Sequence, residues 1–299
     1  MTKIFILGVG AQKAGTTWLH SQLSTNNNID FGFRKEYHVF DTIEQEKKRS
    51  SSKTINNNSC IRSTKYILEL HKKNLLGTNH NMNSNIKFAY RSLELAFLDN
   101  ANNYFNYFDY LYLRNPEIKA VGDITPSYAL LQPKTYRMIK KGLEARGFTI
   151  KILFLMRDPI ERMWSAARMN KRNMKTQKSI SFDEFNFMAS NKEWIGYDKS
   201  RYEQTITNIE NIFNPKEIYY GFYEELFEVN SHQKIQDFLQ ISLLSFKPSQ
   251  ILNASPKNTL MPEELKRDLG RQLQSTYEFM LKRYGDKMIK LWHGYDIFK

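Results

Sequence analysis

Residues 4 to 17 read IFILGVGAQKAGTT, and this stretch decides the fold. The apolar run Ile4, Phe5, Ile6, Leu7 and Val9 has the character of a buried strand. It feeds directly into Gly10-Ala11-Gln12-Lys13-Ala14-Gly15-Thr16-Thr17, and an amphipathic segment carrying Trp18, Leu19 and Leu23 follows. A strand, a glycine loop and a helix start together form an anion site, because unpaired backbone N–H groups and the helix dipole converge there. The glycine spacing fits G-x-x-x-x-G-K-[ST], yet the lysine position of that pattern holds Thr16 and the only lysine lies inside the loop, at Lys13. A nucleoside triphosphatase needs its lysine on the β- and γ-phosphates and a hydroxyl on Mg²⁺. This loop suits a shorter phosphate group.

Working outward, Ile118–Val121 reads as a short strand, Ile150–Met156 as a strongly buried one and Ile218–Tyr223 as another. A short second strand is expected near Phe31–Phe33. Helices are expected around Ile67–Leu76, over Ser92–Leu113 with its dense aromatic run, over Tyr202–Phe213, and as one long element over Glu263–Tyr284 stopped by Gly285. Asn- and Ser-rich patches at Thr25–Asn28, Ser50–Ser59 and Asn79–Asn85 read as loops. Strands alternating with helices predict an α/β fold with a central parallel sheet covered on both faces. No repeat or linker interrupts the chain, so residues 1–299 are read as a single domain.

Ile150–Met156 ends at Arg157, and Asp158-Pro159-Ile160-Glu161 then opens a helix, with Asp158 as N-cap, Pro159 at the first position and Glu161 completing a capping box. Arg157 therefore leaves the carboxyl edge of the sheet, where open α/β sheets bind ligands. Ser165 lies two turns along that helix. The planar fork of arginine and a hydroxyl suit a phosphomonoester. The two anion sites together predict a ligand with phosphates at both ends of something the size of a nucleoside.

Composition agrees. Lys and Arg number 44 against 31 Asp and Glu, a formal net charge of +13 that favours anionic ligands. The stretch Arg162 to Ser181 carries Arg162, Arg168, Lys171, Arg172, Lys175 and Lys178 with no acid, either a solvated face or an electropositive rim. Trp164 alone does not supply the interleaved aromatics of a nucleic-acid surface, so no nucleic-acid partner is expected. Cys60 is the single cysteine, which excludes an intramolecular disulfide and a cysteine-based zinc cluster. No metal site is expected. No apolar stretch reaches membrane length, and the chain reads as cytoplasmic.

With these motifs in view, the chain resembles the sulfotransferases that use 3′-phosphoadenosine-5′-phosphosulfate. Gly10 to Leu19 looks like their 5′-phosphosulfate loop, and Arg157-Asp158-Pro159-Ile160-Glu161-Arg162-Met163-Trp164-Ser165 like their 3′-phosphate motif. Three further segments fall in order. Lys35-Glu36-Tyr37-His38-Val39-Phe40 resembles the K-E-x-H-x-F stretch of the carbohydrate-type branch, Gly122-Asp123-Ile124-Thr125-Pro126-Ser127-Tyr128 its G-E-x-T-P-x-Y segment, and Phe222-Tyr223-Glu224-Glu225-Leu226 its late Y-E-[DE]-L.

The resemblance implies a P-loop-like sulfotransferase fold and the sulfated nucleotide as co-substrate. Gln12, Lys13, Ala14, Gly15, Thr16, Thr17 and Trp18 would then surround the 5′-phosphosulfate, with Lys13 on the leaving oxygen, while Arg157 and Ser165 would take the 3′-phosphate. It gives Glu36 the role of general base, with His38 in reserve. Lys35 is expected on sulfuryl or phosphate oxygens. Asp123 is expected either to hold the catalytic lysines or to fix the turn before Pro126, and Tyr128 to pack against a substrate. Ile124 stands where glycosaminoglycan-modifying relatives often carry lysine, which weakens a polysaccharide reading; the acceptor stays open between a small molecule, a lipid and a carbohydrate. A P-loop kinase or hydrolase and a non-catalytic nucleotide-binding protein are the alternatives.

Overall fold

In the computed structural model, which describes residues 2–51, 82–174, 195–242 and 261–298, the N-terminal apolar run is β1 (Lys3–Gly10), buried from Ile4 onward. Burial on both faces is what a central parallel strand requires. Its neighbours are β3 (Ala120–Ile124) and β4 (Phe148–Met156); β2 (Ile29–Asp30) and β5 (Ile218–Phe222) form the edges. The five strands run in the order β2-β3-β1-β4-β5, and every pairing is parallel. After β1 the chain turns toward β2, whereas after β4 it turns the other way, toward β5. The crevice between the carboxyl ends of β1 and β4 is therefore the switch point at which such sheets bind ligands.

Twelve helices accompany the sheet in the described residues: α1 (Thr16–Leu23), α2 (Val39–Ser51), α3 (Met82–Asp99), α4 (Ala101–Leu113), α5 (Pro133–Glu144), α6 (Pro159–Met174), α7 (Ile195–Asp198), α8 (Tyr202–Glu210), α9 (Val229–Leu239), α10 (Glu263–Gln272), α11 (Gln274–Tyr284) and α12 (Lys287–Leu291). Both faces of the sheet are covered. On one, Phe5 packs edge-on against Phe108 and Phe148, and Phe154 against Tyr202 of α8. On the other, Tyr219 and Lys151 meet Phe238 of α9. The aromatic run of α4 is core, with Tyr104, Phe105 and Phe108 buried. One continuous apolar cluster joins all of these elements into a single α/β domain.

Several expected boundaries move. The helix over Ser92–Leu113 is two helices, because Asn100 adopts an extended backbone and its side chain accepts from the Asn102 N–H, capping α4. The long C-terminal helix is likewise broken, at Leu273, into α10 and α11, and Gly285 ends α11 with φ 63° as expected. The second strand lies at Ile29–Asp30 rather than Phe31–Phe33, and the third begins at Ala120. Parts of the polar patches read as loops belong to α2 and α3. Helix α5 is additional to the expected elements, and its Tyr136, Ile139 and Leu143 are spaced as one buried face behind Pro133. The helix expected at Ile67–Leu76 lies outside the described residues.

Candidate active site

The loop after β1 is shaped by its backbone. Lys13 and Gly15 both have positive φ, 70° and 90°. Gly15 sits at the N-cap of α1, and no side chain caps that helix start. The first-turn N–H groups of α1 thus face the crevice as an anion site. A side chain at Gly15 would meet Leu226 Cδ2 at 2.4 Å, so glycine is needed here for space as well as for conformation. Leu226 and Tyr223 belong to the late Y-E-E-L segment, which packs directly on this glycine loop. Ala14 and Thr16 on either side of Gly15 are buried. Trp18 is buried behind the loop against Phe227 and His232, at ring distances of 5.1 and 5.3 Å. Its side chain anchors α1.

Arg157 follows the last residue of β4 and bridges the two anion motifs. Its Nη1 donates to the Lys13 carbonyl at 3.5 Å, its Nη2 pairs with Glu161 at 3.3 Å, and its guanidinium stacks 4.5 Å from the centre of the Tyr223 ring. Tyr202 fixes its backbone, donating its hydroxyl to the Arg157 carbonyl at 2.7 Å. The expected cap on α6 forms in half. Asp158 Oδ1 accepts from the Ile160 N–H at 3.0 Å, but Glu161 turns to Arg157 and the Asp158 N–H goes instead to Glu224, at 3.0 Å. Burial pushes Glu224 up to about 7. Ser165 is buried one turn beyond Glu161 on α6.

The Lys35–Phe40 segment is strapped to the end of β3. The Ile124 N–H donates to the Lys35 carbonyl, the Tyr37 N–H to Thr125 Oγ1 at 2.9 Å, and the Val39 N–H to the Tyr128 hydroxyl at 3.2 Å. Asp123 is the hub. It is fully buried and accepts hydroxyl hydrogen bonds from Tyr104, Tyr128 and Thr125 at 2.9, 2.9 and 2.6 Å. Burial pushes its pKa up to about 6 against those hydrogen bonds. Asp123 and Tyr128 are both sealed beneath the site, where their hydrogen bonds tie the turn before Pro126 to the Lys35–Phe40 segment.

Above that hub Glu36 contacts the Lys35 amine and lies 3.2 Å from His38 Nε2. The other imidazole nitrogen lies 2.8 Å from Asp41. Burial works to raise the Glu36 pKa, but the hydrogen bonds and charges of His38 and Lys35 outweigh it and hold the carboxylate at about 2. His38 moves the other way, up to about 10, through its hydrogen bonds to Asp41 and Glu36. At neutral pH the pair is a carboxylate beside an imidazolium, so Glu36 is the member with lone pairs available for a proton.

This arrangement makes stability depend on alkali. His38 binds its proton more tightly folded than unfolded, so its contribution is fully present below pH 6.5 and is lost as pH rises through about 10. With 45% of the side chain exposed, solvent screens part of the effect. His38→Gln is expected to lose less of its thermal midpoint than the wild-type chain between pH 7 and pH 10. Parallel melting curves would contradict the assignment.

Two cations that the sequence did not single out as site residues complete the crevice. Arg162 is fully buried; its Nε donates to Ser200 Oγ at 2.6 Å, its Nη2 to the Gly196 carbonyl, and its Nη1 is buried with no hydrogen-bond partner among the described residues. Burial, and next the charge of Arg157, lower its pKa to about 10. Lys199, only 8% exposed, extends its amine to Gln12 and Ser127. Arg162 was legible inside the R-D-P-I-E-R motif, but Lys199 arrives from a segment with no pattern of its own. Around the carboxyl ends of β1, β3 and β4 the site thus gathers Lys13, Lys35, His38, Arg157, Arg162 and Lys199 against Glu36, Asp41 and Glu161. That balance suits a multiply charged anion.

The sulfotransferase domain family matches residues 2–262. Among solved structures, a sulfotransferase from Alicyclobacillus acidocaldarius is similar with a TM-score of 0.55 and 16% identity, over 94% of this chain and 96% of that one. The sulfotransferase domain from the curacin biosynthetic pathway aligns with a TM-score of 0.50 and 17% identity, over 92% and 98%. At such identities the likeness establishes shared architecture. No curated protein matches the sequence. With a family match across most of its length and the same five-stranded parallel fold, the chain belongs to the sulfotransferase family.

Proposed function

We propose that this sulfotransferase moves a sulfuryl group from 3′-phosphoadenosine-5′-phosphosulfate to a hydroxyl or amine of a small-molecule, lipid or carbohydrate acceptor. The observation that supports the reading is the Arg157–Lys13 contact at the β1/β4 switch point, which joins the two proposed anion grips. The loop N–H groups, Thr16 and Thr17 take the 5′-phosphate, while Arg157 and Ser165 take the 3′-phosphate. A hydroxyl oxygen of the acceptor attacks sulfur in line, and the bond from sulfur to the bridging phosphate oxygen breaks. The hydroxyl proton passes to Glu36. The bonding pair leaves on the phosphate oxygen, where the Lys13 ammonium meets charge as it develops.

Glu36 accepts that proton while braced between Lys35 and His38, whose charges keep it ionised and aimed. A carboxylate held near 2 is a weak base in the ground state; its task is to receive a proton already made acidic by attack on sulfur.

The test is to supply sulfur-labelled donor and a metabolite extract to the purified protein. The reading expects formation of adenosine 3′,5′-bisphosphate and of products heavier by one sulfuryl group. Donor left intact, without desulfation even to water, contradicts it.

A further inference from the structure

Lys199 stands apart from every other lysine in the described residues of this crevice. It follows the short helix α7 and is held from behind, because Arg162 bonds both Ser200 and the Gly196 carbonyl on either side of it. The amine is buried, yet no carboxylate among the described residues pairs with it. Its acceptors are two neutral oxygens, Gln12 Oε1 and Ser127 Oγ, each 3.4 Å away and so at the long limit for a hydrogen bond. Burial and the nearby charge of Arg162 depress its pKa, while Asp41 and Glu36 act on it through space in the opposite sense. A buried ammonium with only two weak neutral partners destabilises a fold. Nothing in the packing of the described residues needs this charge.

Its position gives the charge a use. Gln12 immediately precedes Lys13 in the phosphate loop, and Ser127 follows the turn that carries the Glu36 strap. The amine therefore touches both the glycine loop, at the residue before the Lys13 that Arg157 contacts, and the turn to which the Glu36 segment is tied. Resting on the sulfuryl-transfer reading, we propose that Lys199 binds the transferring sulfuryl group, its ammonium donating to a non-bridging sulfuryl oxygen with Gln12 and Ser127 as the positioning acceptors. Lys199 forms no covalent bond and keeps its proton throughout. Lys13 serves the oxygen that departs; Lys199 serves the group that moves, and it makes the site distinguish sulfated donor from desulfated product.

The measurement compares wild type, Lys199→Met and Lys199→Gln, the last keeping hydrogen bonding without the charge. Calorimetry gives affinities for adenosine 3′,5′-bisphosphate and for 3′-phosphoadenosine-5′-phosphosulfate; sulfate release from the donor and thermal midpoints are read alongside. In both variants affinity for the bisphosphate is expected to stay within about threefold, affinity for the sulfated donor to fall by about tenfold or more, and sulfate release by about 100-fold. Lys199→Met is expected to raise the thermal midpoint, since it removes a buried unpaired charge. A lowered midpoint with both nucleotides weakened alike would make Lys199 a structural residue and overturn the proposal, as would unchanged donor affinity and rate. Wild type that binds neither nucleotide would instead bring down the sulfuryl-transfer reading, and this inference with it.

Discussion

Lys13→Ala is expected to lower sulfate release from the donor by about 100- to 1,000-fold, while affinity for adenosine 3′,5′-bisphosphate changes no more than about threefold. The asymmetry follows from where charge appears. In the ground state the bridging oxygen is shared between phosphorus and sulfur and carries little charge. As the bond to sulfur breaks, that oxygen gains most of a negative charge. An ammonium fixed in the loop between Gly10 and Gly15 is then needed chiefly in the transition state. The positive φ of Lys13 is part of the same device, because it turns the residue out of both the strand and the helix. Equal losses in rate and in bisphosphate affinity would show that Lys13 only binds.

Arg157→Ala is expected to behave in the opposite way, costing about 2–5 kcal/mol of bisphosphate affinity, roughly 30-fold to a few thousandfold in Kd. The side chain is 14% exposed and stacks on Tyr223, so its charge is well desolvated and its fork is preorganised. Adenosine 5′-monophosphate, which lacks the 3′-phosphate, should bind both proteins about equally. That comparison matters because Arg157 also reaches the Lys13 carbonyl. If the monophosphate weakens as much as the bisphosphate, the arginine organises the loop and does not read the 3′-phosphate. Arg157→Lys keeps charge but loses the planar fork, and should recover only part of the affinity.

The parts of this architecture that could be read from sequence are those where one physical cause dominates. β1 is buried on both faces, so its apolar residues run on without alternation and mark a central parallel strand. The turn after it needs glycine at Gly15, both for φ and because Leu226 leaves no room for a side chain. Asp158 and Pro159 announce the start of α6 through capping chemistry that is local in sequence. Where local preference competes with a distant partner, the reading shifts. Glu161 has the spacing of a capping box, yet Arg157 draws it away and Glu224, far along the chain, takes the orphaned N–H.

The site shows the same division. Glu36 and His38 stand two apart in the K-E-x-H-x-F segment, and a left-handed turn at His38, φ 54°, accompanies their meeting. Asp123 and Tyr128 carry motif residues whose chemistry looks like ligand chemistry, and only burial reveals that three hydroxyl groups consume the carboxylate. Lys199 left no trace at all in the sequence, because a lysine becomes informative only when its environment lacks a counter-ion. Arg162 sat within a recognised motif, but its unpartnered nitrogen is a property of packing.

The most direct test is titration of the purified protein with adenosine 3′,5′-bisphosphate in the presence of a chelator, against adenosine 5′-monophosphate and ATP. The account predicts saturable binding of the bisphosphate without magnesium, with both other nucleotides weaker by about tenfold or more through loss of the 3′-phosphate contacts. Binding of ATP that requires magnesium and ignores a 3′-phosphate would contradict it.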